Sequence, residues 1–171
     1  MAVLTAGWPL LSSLVHNQRP LAAGTRLTVG SGRPNAAQFT VGRGWSMMPA
    51  SSSPRQGYAL SRGPARLLIR YDSLVSSGQV DQLWAGLHTV LRLTNPGLTL
   101  GQPRSVTTAQ GRHGLTGRLS GNGQAGTATI IPGPSGRFAI QVLVLAPPAN
   151  RDVSRGAELR LVKSLVFPVA R

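Results

Sequence analysis

Four carboxylates and three histidines (Asp72, Asp81, Asp152, Glu158, His16, His88 and His113) are the groups in this chain suited to moving a proton or holding a metal. None of them falls at metal-ligand spacing. Asp72 and Asp81 straddle a turn and the start of a predicted helix, where a carboxylate ordinarily serves the helix N-terminus. His88 sits beside Leu87 and Leu91 on a helix edge. His113, between Arg112 and Gly114, has no carboxylate nearby in sequence to orient it as a base. No G-x-S-x-G turn is present to expose a serine nucleophile. The absence of cysteine excludes disulfides, thiolate metal sites and cysteine catalysis together. The glycines of GLTGRLSGNGQAG read as strand, turn and strand, so no helix N-terminus faces a phosphate and no P-loop Lys-Ser/Thr follows. The expectation is a protein that is not an enzyme, with no catalytic residue, cofactor or metal assigned.

Arginine is what the sequence does supply. Lys and Arg number 18 against 4 Asp and Glu, a net charge of +14 on 171 residues, and Lys163 is the only lysine. A GC-rich genome produces such an arginine skew through codon usage alone, so the charge is not by itself a binding signal. Arg62, Arg66 and Arg70, with Arg112, Arg118 and Arg137 on other strands, are the candidates for one outward face that contacts a polyanion. Outside a membrane that partner is an anionic lipid headgroup or cell-wall polymer; inside, it is RNA or DNA. The arginines are scattered singly, without the aromatic interleaving that stacks bases, which disfavours nucleic acid without removing it.

The elements that must position these residues follow from hydrophobic periodicity. Hydrophobic residues make up 41% and charged residues 13% of a chain the size of one domain. GYALSRGPARLLIRYD reads as two strands around Arg62-Gly63-Pro64, with Leu67, Ile69 and Tyr71 alternating against Arg66, Arg70 and Asp72. Ser77 is placed to cap a helix through Leu91. Its apolar stripe is Val80, Leu83, Trp84, Leu87 and Leu91, stopped by Asn95-Pro96-Gly97. SVTTAQG, HGLTGRLSG and GTATII read as successive hairpin strands. FAIQVLVLAP, apolar on both faces towards its end, is expected to be central and covered on both sides. Asp152 is placed to cap a second helix whose apolar side is Val153, Ala157, Leu161 and Leu165. The fold class implied is α+β, an antiparallel sheet with helices on its faces, with an all-β barrel carrying one helix as the alternative.

The first residues behave differently. Met1 to Val15 carry no charge, yet fifteen helical residues span about 22 Å against a hydrocarbon core of about 30 Å. The reading is that residues 1–16 are the remnant of a membrane helix, 17–35 a linker and 36–171 the folded domain; a helix packed on its own domain is the alternative. Arg19, Arg26, Arg33 and Arg43 after the apolar run weigh against an outward-facing domain under the positive-inside rule.

The order of elements resembles the PsbP-like or Mog-type α/β/α sandwich superfamily. The resemblance rests on QFTVGRGW, the amphipathic helix after LLIRYD, the GLTG hairpin before FAIQVLVLAP, and the final helix running into Ser164 to Pro168. It covers about Thr25 to Arg171 and brings no catalytic motif. The superfamily includes photosystem oxygen-evolving subunits, a Ran-GTPase-binding protein and bacterial envelope lipoproteins of the DcrB and LpqN type. No Ran-binding or photosystem-binding residues match, so neither function carries over. The apolar start followed by a linker resembles actinobacterial relatives with one membrane helix and an outward domain. This implies a single-pass, extracytoplasmic interaction or accessory domain with an unknown protein partner. A soluble basic nucleic-acid-binding protein is the alternative.

Overall fold

The computed structural model describes residues 18–32, 34–74 and 79–168 of the chain, without the side chains of 151–154. Among the described residues, eleven strands and two α-helices form three layers. The strands in chain order are β1 (Arg19–Pro20), β2 (Arg26–Gly30), β3 (Ala36–Thr40), β4 (Ser46–Met47), β5 (Gly57–Arg62) and β6 (Ala65–Ser73), then helix α1 (Val80–Thr94). After it come β7 (Thr99–Leu100), β8 (Arg104–Thr107), β9 (His113–Gly121), β10 (Gln124–Pro132), β11 (Phe138–Ala146) and helix α2 (Arg151–Ser164). The main sheet runs β1-β4-β5-β6-β11-β10-β9-β7, with β8 also on the outer edge of β9, and every pairing is antiparallel.

The central strand is β11, and all nine of its residues are buried. Val142 and Val144 face one layer while Leu143 and Leu145 face the other. A strand covered on both sides has no solvent face to alternate against, which is why its sequence is apolar throughout. Asn122 and Gly123, both at positive φ (51° and 67°), make the tight turn from β9 to β10, the conformation that Asn-Gly supplies to hairpins.

One face of the sheet is covered by α1. Trp84, Leu87 and Leu91 are its buried residues, whereas Val80 and Leu83 pack only partly buried against the same core. Trp84 seats on Gly117 of β9, where an added Cβ would come within 2.7 Å of the indole ring. The helix begins two residues later than Ser77 implies: Gln79 holds the N-cap position without a side-chain capping bond, and Ser77 lies outside the described residues. Asn95 is the C-cap, as the Asn-Pro-Gly stop requires.

The opposite face carries α2 beside the β2–β3 hairpin. The hairpin pairs Arg26–Gly30 with Ala36–Thr40 and packs over β5 and β6, while α2 lies over β10 and β11 and touches β3. Residues 17–35, expected as a linker, therefore contribute β1 and β2 to the fold. The physical reason is the pair Leu27 and Val29, which packs on the main core and makes a strand of an otherwise polar stretch. Helix α2 starts at Arg151 with Asn150 at its N-cap position, so Asp152 lies inside the first turn and is not the cap residue. Ala157, Leu161 and Leu165 are buried as the period predicts, joined by Val162; the side chains of Asp152 and Val153 lie outside the described residues. Beyond α2 the chain is fastened by a two-bond bridge between Gln38 and Val166, 2.8 Å in each direction, and Phe167 is buried against Phe138.

Candidate functional site

A cleft of about 340 Å³ opens where the end of β3, the β3–β4 turn, the ends of β5 and β6, and α2 converge. Its floor is apolar: Trp45, Leu60, Leu67, Ala157 and Leu161 all line it and all belong to the buried core. Around that floor stand three arginines, Arg43, Arg62 and Arg160. Among the described residues, no carboxylate and no imidazole lines it.

Each arginine is placed by a local device. Arg43 stands in the turn after β3, which closes through Gly44 at φ +83°, a conformation costly for residues with a side chain. A Cβ on Gly44 would lie 3.4 Å from Nε of Arg62, so the glycine lets the turn and that guanidinium pack together. Arg62 is the last residue of β5, paired with Ala65 across the Gly63-Pro64 turn. Arg160 projects from the exposed side of α2 and lies back over Gly156 one turn earlier, within 4 Å of where a Cβ would stand. The wall that carries Arg43 is pinned: Trp45 accepts a backbone bond from Leu21 (3.0 Å), Val41 N–H donates to Thr25 (2.9 Å), and Thr40 N–H donates to Ser164 Oγ on α2 (3.0 Å).

The acid nearest in sequence points elsewhere. Glu158 is almost fully buried, 3% exposed, and faces β9 and β10. It accepts hydrogen bonds from the hydroxyls of Thr127 and Thr129, the latter at 2.6 Å, with Thr116 at 3.5 Å. Thr129 also bonds Thr116 at 2.8 Å. The threonines are alternate residues on paired strands, and together they solvate a carboxylate that water does not reach. By sequence Glu158 is only one of four acids; T-x-T in GTATII, which places two hydroxyls on one face of a strand, is the pattern that points to its partners.

The six arginines expected on one face are divided by the sheet. Arg62 reaches the cleft. Arg66 and Arg70 alternate with Leu67 and Ile69 and so lie on the α1 side of β6, where Arg66 folds back to donate to the Gly63 carbonyl at 2.8 Å. Arg118 stands on the opposite side of β9 from Leu119, hence on the α2 side. Arg112 precedes β9 and Arg137 precedes β11, at chain turns. Arg43 and Arg160, which complete the cleft, were outside the expected set. The Gly-Arg-Gly turn and the position of Arg160 beside Leu161 are the marks that could have found them.

The other titratable groups are locally engaged or isolated. His113 Nδ1 is 3.2 Å from Thr107 Oγ1 across the β8–β9 hairpin, and His88 is half-buried on α1. Asp72 lies on the Arg70 side of β6; burial pushes its carboxyl above the usual range, and the Arg70 charge partly opposes this. Its Oδ2 is sealed from solvent without a hydrogen-bond partner, although the side chain as a whole is only half-buried. Tyr58 donates its hydroxyl to the Thr28 carbonyl at 2.9 Å, and burial pushes its pKa up, which disfavours the phenolate. Among the described residues no group of three His, Cys, Asp or Glu is placed to hold a metal, and no helix is long and apolar enough to cross a membrane. The apolar run 1–16 lies outside the described residues.

The chain as folded superimposes on known structures. The solution structure of cyanobacterial PsbP (CyanoP) from Synechocystis superimposes with a TM-score of 0.62 at 10% identity, over 86% of this chain and 95% of that one. The Saccharomyces cerevisiae Ran-binding protein Mog1p gives 0.54 at 12% identity, over 85% and 96%. The fold is that of PsbP and Mog1p. No protein family's profile matches the chain, and no curated protein does. The PsbP-like fold is thus established at the level of architecture. Its chemistry here has to be read from this chain's own cleft.

Proposed function

We propose that this PsbP-like chain is a non-catalytic accessory domain of the cell envelope that recognises an anionic partner through the Arg43, Arg62 and Arg160 cleft. The observation that carries the reading is the composition of that cleft: three arginines around an apolar floor, with no carboxylate and no imidazole among the described lining residues. Arginine is always charged and presents a fixed fork of donors, so such a site is built to hold an anion. The uncharged run from Met1 to Val15 supports a membrane tether, and the resemblance to membrane-anchored relatives of the DcrB and LpqN kind supports an extracytoplasmic placement.

The experiment has two arms. In the first, the full chain is expressed in its source cells and membranes are washed with high salt and then with carbonate. A tether of buried hydrocarbon keeps the protein in the membrane through both, whereas release by salt alone removes the tether. In the second, the folded protein is titrated with citrate, inorganic phosphate and a short single-stranded DNA, beside the triple variant Arg43→Ala, Arg62→Ala, Arg160→Ala. Loss of small-anion binding in the triple variant supports the cleft. Tight DNA binding at physiological salt that survives in the variant transfers the function to a nucleic-acid-binding surface elsewhere.

A further inference from the structure

We infer that the flank of α2 turned away from the cleft, together with the sheet edge beside it, docks on the surface of an anionic bilayer. This rests on the envelope placement proposed above but not on Arg43, Arg62 or Arg160, so the two surfaces stand or fall separately.

The flank is one row of the helix. Arg155, Leu159 and Lys163 follow one another at four-residue spacing, and all three are exposed. They stand beside the buried pair Glu158 and Val162, whereas Ala157, Leu161 and Ser164 form the side that meets the cleft and β3. Ala109 N–H, in the loop that leads into β9, donates to the Lys163 carbonyl at 3.4 Å, which sets the end of the row beside that loop.

Beyond α2 the same side of the sheet continues onto β9 and β8, where Arg118 and Arg104 are exposed. Arg118 pairs with Thr127 and Arg104 with Thr116. The hydroxyls of both threonines reach Glu158, and residues directly opposite in a ladder point the same way, so both arginines stand on the α2 side. Four cations thus share one surface without having to meet at a single point. Among the described side chains no exposed carboxylate opposes them: Asp72 and Asp81 belong to the α1 side, and Glu158 is buried. A surface of one sign draws a polyanion from a distance set by the ionic strength.

Leu159 decides which polyanion. It is 45% exposed in the middle of the basic row, and Val166, 39% exposed, lies just past the helix end. The boundary between headgroups and acyl chains takes up an apolar side chain flanked by cations, as interfacial helices do. A nucleic acid would satisfy the cations and leave Leu159 in water. It would also call for rings to stack on its bases, and every aromatic ring among the described residues is buried or half-buried. Leu93 on α1, 79% exposed beside Arg92, is the matched reference on the opposite side of the molecule.

The chain has no cysteine, so Leu159→Cys and, separately, Leu93→Cys each accept one environment-sensitive fluorophore in the full chain. Labelled protein is mixed with vesicles of phosphatidylcholine alone, or of equal parts phosphatidylcholine and phosphatidylglycerol. The expected result is a blue shift of the label at position 159 on the mixed vesicles, reversed by high salt, and none at position 93. Attachment through residues 1–16 alone gives no such difference between the two positions, so the label reports the face that docks. Adding Arg155→Ala and Lys163→Ala should raise the lipid concentration for a half-maximal shift by about tenfold or more. Arg155→Lys with Lys163→Arg, which keeps both charges, should leave it unchanged. No shift at position 159, equal shifts at both positions, an equal shift on phosphatidylcholine alone, or a shift that survives the double alanine variant overturns the docking. So does tight binding of duplex DNA at physiological salt that the double alanine variant abolishes while vesicles leave the label at 159 unmoved, which gives the surface to nucleic acid. Titration of the Arg43, Arg62 and Arg160 triple variant with citrate and phosphate reads the cleft alone, so either surface can be lost without the other.

Discussion

Helix α2 handles charge in two opposite ways on its two sides. Towards β9 and β10, Glu158 enters the core and is met by hydroxyls of Thr116, Thr127 and Thr129, so a buried carboxyl group finds its hydrogen bonds in the protein in place of water. Towards β3 and the end of β5, Arg160 stands at the rim of a cleft with Arg43 and Arg62, and no acid is among the described residues that line it. Burial demands partners, because an unpaired buried charge costs several kcal/mol, whereas a solvated rim can leave cations available. One helix thus separates a charge used for holding the structure from charges free of that task. The difference makes the threonine cluster part of the frame and leaves the rim arginines to the proposed anion contact.

That contrast breaks most directly at Glu158. Glu158→Ala removes the acceptor for buried hydroxyls and opens space in the core, and should lower unfolding stability by about 3 kcal/mol, read from denaturant midpoints. A loss of under about 1 kcal/mol would erase the distinction between the two sides of the helix. Leu87→Ala on α1, remote from both sides, serves as the yardstick for an ordinary core residue, at about 2 to 5 kcal/mol. Thr127→Val, which keeps the shape and deletes one donor, should cost about 1.5 kcal/mol.

Asp72 sharpens the comparison from outside it, since it is a partly buried acid that lacks the hydroxyl partners Glu158 enjoys. Its folded carboxyl titrates above its unfolded value, so the folded state binds the extra proton. The associated stability is present below about pH 4 and is lost as pH rises through the higher folded value. Asp72→Asn should therefore raise the denaturation midpoint at pH 7 relative to wild type and flatten the fall in stability above pH 4. A wild-type profile already flat there contradicts the placement of Oδ2. The smallest effect on stability belongs to Arg160→Ala, expected within about 0.5 kcal/mol of wild type while anion binding falls.

The amphipathic patterns were legible because hydrophobic periodicity is a local property. Trp84, Leu87 and Leu91 on α1, Ala157 and Leu161 on α2, and the doubly apolar β11 could be placed from spacing alone. Residues 17–35 were misread because their polar composition outweighed one apolar pair, and Leu27 and Val29 become a strand only when β3 and the faces of β5 and β6 are present to receive them. The cleft failed to emerge for a related reason. Arg43, Arg62 and Arg160 are separated by up to 117 positions in sequence and converge only through the closing of the sheet. Alternation along β6 does show that Arg66 and Arg70 share a side. It does not show that Arg62, one strand away, turns to the other.

The bridge from Gln38 to Val166 sets a timetable for the chain. The β2–β3 hairpin is made early in synthesis, but its outer partner is Val166, and the core ring of Phe138 waits for Phe167. Contacts across so much sequence form late and make folding slow. Until residue 167 has been added, a nascent chain has an uncapped hairpin and an open core, so the last turn of the domain, and not its first hairpin, decides when the fold closes.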